Sequence, residues 1–123
     1  MHAELKMTEN VEVVRTDRGY AVISARSLAA NERILTCEGV ALPAPNRYSV
    51  CIDGEHIDPE TPARFLNHSC EPNCRFEGHW LLASDDIAAS VELTFDYAET
   101  EAVIAAPFDC TCGSSNCRGR IGL

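Results

Sequence analysis

The segment Cys110-Thr111-Cys112-Gly113-Ser114-Ser115-Asn116-Cys117 puts three thiols within eight residues, and no other feature constrains the chain as tightly. Gly113 and Asn116 permit the tight backbone that wraps a metal ion. A zinc site with four tetrahedral ligands and no open position is structural. Three local thiols need a fourth from elsewhere, and Cys70 and Cys74 are the candidates. Without a metal, this polar, glycine-containing terminus has nothing to order it. Cys37 and Cys51 stand among apolar neighbours in strand-like segments and read as buried core thiols.

Seven cysteines, an odd number, argue against a secreted disulfide framework. Residues 1–10 are polar and acidic, without the basic-then-apolar order of a secretory signal. The expected setting is a reducing intracellular compartment, either a bacterial cytoplasm or a eukaryotic nucleus or cytoplasm. A length of 123 residues fits one domain with a modest core. No run approaches the ~18 apolar residues of a membrane span. The formal charge is −9, from 19 acidic and 10 basic residues. Direct nucleic-acid binding is therefore not expected, and a basic protein or peptide suits the field better. Four thiolates around one Zn²⁺ would add further negative charge, so the metal would not neutralise the domain.

Short segments separated by turn residues fill the rest of the chain. Residues 11–14 read as a strand, Asp17-Arg18-Gly19 as a turn and residues 20–25 as a second strand, making a hairpin. Residues 28–32 read as a turn with Asn31 left-handed. Residues 34–40 are a further strand, and Pro43, Pro45 and Asn46 break the chain after it. Residues 48–52 alternate as a strand into the hairpin dipeptide Asp53-Gly54. Asp58-Pro59 opens another turn-rich stretch, and Thr61 is placed to cap a helical turn through Leu66. Residues 80–84 and 91–95 complete the set. No helical periodicity exceeds the ~12 residues an independent helix needs. The expectation is a mostly β domain of about six or seven short strands with irregular connections.

Two segments carry polar chemistry. Arg64-Phe65-Leu66-Asn67-His68-Ser69-Cys70-Glu71-Pro72-Asn73 gathers amide, imidazole, hydroxyl and thiol groups in one loop. Asn67 and His68 can read the hydrogen-bonding edges of a ligand such as an adenine or a carboxylate. In isolation such a pair is more often a turn that satisfies its own backbone. Glu92-Leu93-Thr94-Phe95-Asp96-Tyr97 alone reads as an ordinary core strand ending in an aromatic.

In order, Asn67-His68-Ser69-Cys70-x-Pro72-Asn73, then Glu92-Leu93-Thr94-Phe95-Asp96-Tyr97, then Cys110-x-Cys112-x4-Cys117-Arg118-Gly119 resemble the SET domain and post-SET zinc motif. That family comprises protein-lysine methyltransferases that use S-adenosylmethionine. The resemblance runs from about Val11 to the last residue. It implies a SET-domain-like fold of short strands, a pseudoknot and a zinc-stapled C-terminal segment. The corresponding divisions are a polar extension over residues 1–10, the SET domain over 11–106 and the post-SET segment over 107–123.

The resemblance also implies roles. Asn67 and His68 match the loop that holds S-adenosylmethionine, and Arg64 matches a neighbouring contact. Gly19-Tyr20-Ala21 occupies the place of the N-terminal Gly-x-Gly cofactor motif. Tyr48 matches a further cofactor-contacting tyrosine, and Tyr97 the catalytic one. Cys70, Cys110, Cys112 and Cys117 match the ligands of one structural zinc, which selects Cys70 over Cys74. Phenylalanine at the place of Phe95 goes with di- or trimethylation. The resemblance implies as acceptor the ε-amine of a lysine in a basic protein or peptide, a histone tail being one option. It must arrive neutral, although free lysine has a pKa of ~10.4. An apolar channel built from Phe95 and Tyr97 lowers that value. Ile121 and Leu123 are candidates for apolar contacts over the channel.

The chain also departs from the pattern. Ala21 replaces the second glycine, a weakness if its backbone requires φ > 0 or a close approach to the cofactor. Ser90 stands where a glycine is more usual, and residues 38–62 are short for the peptide-reading insert. No cysteine lies before Cys37, so no pre-SET cluster is expected. Glu55, Asp58, Glu60, Glu99 and Glu101 can draw in a basic peptide, or form a solvated acidic face. The competing readings are a SET-like module that binds peptide or cofactor without turnover, and a purely structural zinc domain.

Overall fold

The structure, a computed structural model, describes residues 9–17, 19–46, 49–52, 54–97, 108–110, 112, 114, 115 and 117–121. Along the chain these form β1 (Val11–Thr16), β2 (Gly19–Ser24), β3 (Arg33–Thr36), β4 (Gly39–Leu42), β5 (Val50–Ile52) and β6 (Glu55–Pro59). A 3₁₀ turn at Ala63–Phe65 follows, then β7 (Asn67–His68), β8 (Cys74–Glu77) and β9 (Trp80–Ala83). The remaining strands are β10 (Thr94–Phe95), β11 (Phe108–Asp109) and β12 (Arg120–Ile121). They make small separate sheets, and that is what lets loops from distant parts of the chain meet.

The first hairpin follows from alternation. Val11 and Val13 face inward opposite Ser24 and Val22 of β2. The far edge of β2 is met by the segment before β10, where Ser24 N–H donates to Val91 at 2.9 Å and Leu93 N–H to Val22 at 2.8 Å. In the second sheet β9 lies between β3 and β8, all antiparallel, and Gly78 turns β8 into β9 with φ 59°. In the third, β6 lies between β4 and β5, and Gly54 takes φ 84° in the β5–β6 turn. Val11, Val22, Leu28, Leu81 and Leu93 form the innermost core, each burial contributing ~1.5–3 kcal/mol.

The architecture is nearly all strand, as the spacing of turn residues predicts, but several details differ. The strand expected over 34–40 is two strands, interrupted at Cys37-Glu38 because Gly39 must pass against the backbone of Asp58 on β6. Thr61 is not a cap: the turn begins from Pro62, with no side-chain capping bond. Of the strand expected over 91–95, only Thr94–Phe95 is strand, since the preceding residues bond to β2. β6 and β8 are further strands: β6 runs into the turn-like Asp58-Pro59, and β8 has only four residues, too short a run of alternation to stand out. Asn31 is left-handed as expected (φ 69°), and Ser90 also takes a left-handed backbone (φ 64°).

Candidate active site and cysteine cluster

The site is built on β7 and β10, which lie parallel although separated along the chain, with Asn67 opposite Thr94 and His68 opposite Phe95. Ser69 N–H extends this contact to the Phe95 carbonyl at 3.2 Å. Asn73 locks it from the side. Its carbonyl accepts from Thr94 N–H at 2.9 Å, and its amide donates to the Glu92 carbonyl at 2.9 Å. The Asn67 amide donates to the Tyr20 carbonyl at 3.1 Å and to the Glu92 carboxylate at 2.8 Å. One side chain therefore ties β2, β7 and the approach to β10 together.

Tyr97 follows β10 directly. Its hydroxyl donates to the Leu66 carbonyl at 2.9 Å, which holds the phenol in one orientation. Phe95 packs beside it with ring centroids 5.1 Å apart, and Phe76 from β8 meets Phe95 edge-on at 4.9 Å. The His68 ring stands 5.2 Å from Tyr97. His68 Nδ1 accepts the Tyr97 N–H at 3.0 Å, and Nε2 lies 3.4 Å from Cys70 Sγ. Burial holds the His68 pKa below its ordinary value, against the pull of nearby Asp96. Asp96 is 3.6 Å from Nδ1, but that nitrogen already accepts a proton, so the two are neighbours and not an ion pair. The proton of neutral His68 is on Nε2, aimed at the Cys70 sulfur.

The other candidates fall on two sides. Gly19 has φ 112°, and the half-exposed Tyr20 ring packs on Phe65 at 4.8 Å with Arg15 above it at 5.9 Å. Both residues adjoin Asn67 through the Tyr20 carbonyl. Ala21 is buried and its φ is not positive, so the missing glycine puts no strain on the backbone. Arg64 is ion-paired with Asp58 of β6. Tyr48 lies outside the described residues, as does Leu123, while Ile121 is buried on β12.

Cys70, Cys110, Cys112 and Cys117 bring four sulfurs within 4.8 Å of one another. Cys70 and Cys110 sulfurs are 3.9 Å apart, close to the ~3.8 Å edge of a tetrahedron with zinc–sulfur bonds of ~2.3 Å. Ser114, through its hydroxyl and amide, pulls the Cys112 thiol down to about 5, while desolvation pushes Cys110 up to about 12. Four convergent sulfurs are a donor set that suits a tetrahedral zinc ion, which binds cysteine as thiolate. Cys74 is not in the cluster. It is buried and donates to the Asn73 side-chain carbonyl at 3.3 Å. Cys37 is fully buried and burial raises its thiol to about 11, as suits a core residue; Cys51 is only half-buried.

Several working residues have no local signature in the sequence. Asn73, Phe76 and the Leu66 carbonyl are among them, and so is the pair formed by Arg118 and Asp96 at 2.7 Å. Their roles appear only when strands far apart in sequence are brought into contact, and the SET-like motif order was the one signal pointing at them.

Comparisons with known proteins agree with this geometry. The SET domain family matches residues 19–98. The histone-lysine N-methyltransferase ASHH2 of Arabidopsis thaliana is 47% identical over 68 residues, covering 48% of this chain and 4% of that protein. The methyltransferase flvH of Aspergillus flavus is 34% identical over 122 residues, covering 92% of this chain and 68% of the relative. Among solved structures, KRYPTONITE in complex with DNA, an H3(1–15) peptide and SAH superposes with a TM-score of 0.72 at 32% identity, over 94% of this chain and 30% of that one. The family match spans residues 19–98 and takes in the β7–β10 junction and Tyr97: this chain belongs to the SET-domain family.

Proposed function

We propose that the chain transfers methyl groups from S-adenosylmethionine to the ε-amine of lysine in a basic protein segment. The observation that carries this reading is Tyr97, its hydroxyl fixed on the Leu66 carbonyl inside an aromatic cluster at the β7–β10 junction. Relatives named as histone-lysine N-methyltransferases, and a structural neighbour holding SAH and a histone H3 peptide, support it.

When bound, S-adenosylmethionine supplies an electrophilic methyl group on a sulfonium. Asn67 and His68, with Gly19, Tyr20, Ala21, Arg64 and Tyr48, are the residues proposed to hold it. Phe95, Phe76 and Tyr97 present apolar surface, which disfavours an ammonium and releases the amine lone pair. Tyr97 remains a neutral phenol and orients the amine; with an ordinary pKa of ~10, it is not a strong base at neutral pH. Alignment and water exclusion then supply most of the acceleration, terms that reach ~7–11 kcal/mol in well-oriented systems. Cys70, Cys110, Cys112 and Cys117 would hold one structural zinc, a closed sulfur set with no position for substrate. Residues 11–106 would form the catalytic domain and 107–123 the zinc segment. The formal charge of −9 favours a basic substrate such as a histone tail, and free thiols suit a reducing compartment. Phe95 points to more than one methyl per lysine. The Ala21 backbone is unstrained, so of the two ways its methyl group could weaken cofactor binding only a close approach to the cofactor is left to the non-catalytic reading.

The deciding experiment is methyl transfer from labelled S-adenosylmethionine to an H3(1–15) peptide and a mixture of basic proteins, with the products located by mass spectrometry. Zinc-loaded wild type is expected to give methyl-lysine, and Tyr97→Phe to reduce it at least ~tenfold. Cofactor binding without transfer would turn the reading to a binding module. Neither binding nor transfer would leave a structural zinc domain.

A further inference from the structure

Arg118 follows the last cysteine of the cluster and touches both halves of the site. Its amide and its Nε both donate to Cys70 Sγ, at 3.3 and 3.4 Å. The far end of the same guanidinium donates to the Asp96 carboxylate at 2.7 Å. Asp96 is the residue between Phe95 and Tyr97. Cys70 also receives the His68 Nε2 proton, and His68 Nδ1 holds the Tyr97 amide. Two bridges thus run from one metal-ligand sulfur to the segment that carries Tyr97.

We propose that Arg118 is a positioning residue for Tyr97, its guanidinium spanning Cys70 and Asp96 so that filling the cysteine cluster fixes the Phe95–Tyr97 segment. The inference deepens the methyltransferase reading and rests on it. Three points carry it. The Arg118 and Asp96 side chains are 43% and 27% exposed, so the pair adds little to global stability, and orientation is what it can supply. A planar guanidinium engages a sulfur and a carboxylate at once, and a lysine ammonium on a single point does not. Cys70 is one end of the bridge, so an ion that fixes its sulfur also fixes the guanidinium that holds Asp96.

The test uses the whole chain with zinc at saturation, the saturating level being set by chelator competition for each variant. Amide hydrogen exchange over residues 93–97 is read with and without zinc, beside kcat and KM for cofactor and peptide. In wild type, zinc is expected to slow exchange of the segment about tenfold. Arg118→Met should lose that response and lower kcat about tenfold, with each KM within about threefold. Asp96→Asn should do the same, and Arg118→Lys should keep part of both signals. In the double variant the loss should not exceed that of the worse single one, because one bridge is cut twice. Arg26→Met, which breaks a similar surface pair with Glu32, should change neither reading. A wild-type exchange response and kcat in Arg118→Met, or multiplicative losses in the double variant, would overturn the proposal. A wild type that transfers no methyl group sinks the methyltransferase reading alone, and the exchange comparison still decides the bridge.

Discussion

Phe95 is 4% exposed, closed in by Phe76 and Tyr97, and in the proposed function it lines the channel for the acceptor amine. Phe95→Tyr adds a hydroxyl there, which narrows the space and offers an amine a hydrogen bond. The expected product shifts from di- and trimethyl-lysine towards monomethyl-lysine, read by mass spectrometry; an unchanged distribution would count against Phe95 as a product determinant. His68 gives a pH dependence. Burial holds its folded pKa below the ~6.5 of an unfolded histidine, so the stability tied to neutral His68 is complete above that pH and is lost as pH falls below it. Urea unfolding at pH 7.5 and 5.5 should show a steeper acid loss in wild type than in His68→Gln. Equal slopes would mean that the ring does not resist protonation. Asn67, His68 and Tyr97 stand out only through the order of motifs in which they occur, because each segment alone reads as a turn or a core strand. The Arg118 bridge was not legible, since its contacts to Cys70 and Asp96 span 48 and 22 residues of chain and depend on where the C-terminal segment returns.

At the scale of elements, β4 and β6 pack so closely at Gly39 that a Cβ there would overlap the Asp58 carbonyl. Gly39→Ala should therefore cost about 2 kcal/mol or more, because a neighbouring backbone cannot move aside as a flexible side chain would. Urea unfolding measures it, and a change below ~0.5 kcal/mol would show that the strands can separate freely. Asp58 also pairs with Arg64, so the same substitution should disturb the turn leading to β7. The β1–β2 hairpin was readable from alternation and a glycine turn. Asp58-Pro59 looks like a turn in the sequence, yet it ends β6, because Pro59 pairs only with Gly39 of β4 and lies past the last β5 pair, as on an edge strand. β7 and β10 have two residues each, too few for any periodic signal, and exist because each finds the other.

For the whole molecule, Cys70 joins the central loop to the C-terminal segment, where Cys110 N–H donates to the Gly119 carbonyl at 2.6 Å and β11 pairs with β12. Removing zinc with a chelator should abolish methyl transfer and leave the β core intact, with far-ultraviolet circular dichroism nearly unchanged, because the core residues of β1, β2, β3 and β9 lie outside the cluster. Full turnover in metal-free protein would sink the stapling role. The sequence by itself determined the strand-rich class, the acidic field, the four-thiol set and the order of motifs, since composition, alternation and side-chain chemistry are local properties. Only the tertiary structure decided that the Cys74 thiol lies in the core against Asn73, that the Ala21 backbone is unstrained, and that Arg118 meets Asp96. Those outcomes depend on which distant segments share a surface, and packing of the whole chain settles that.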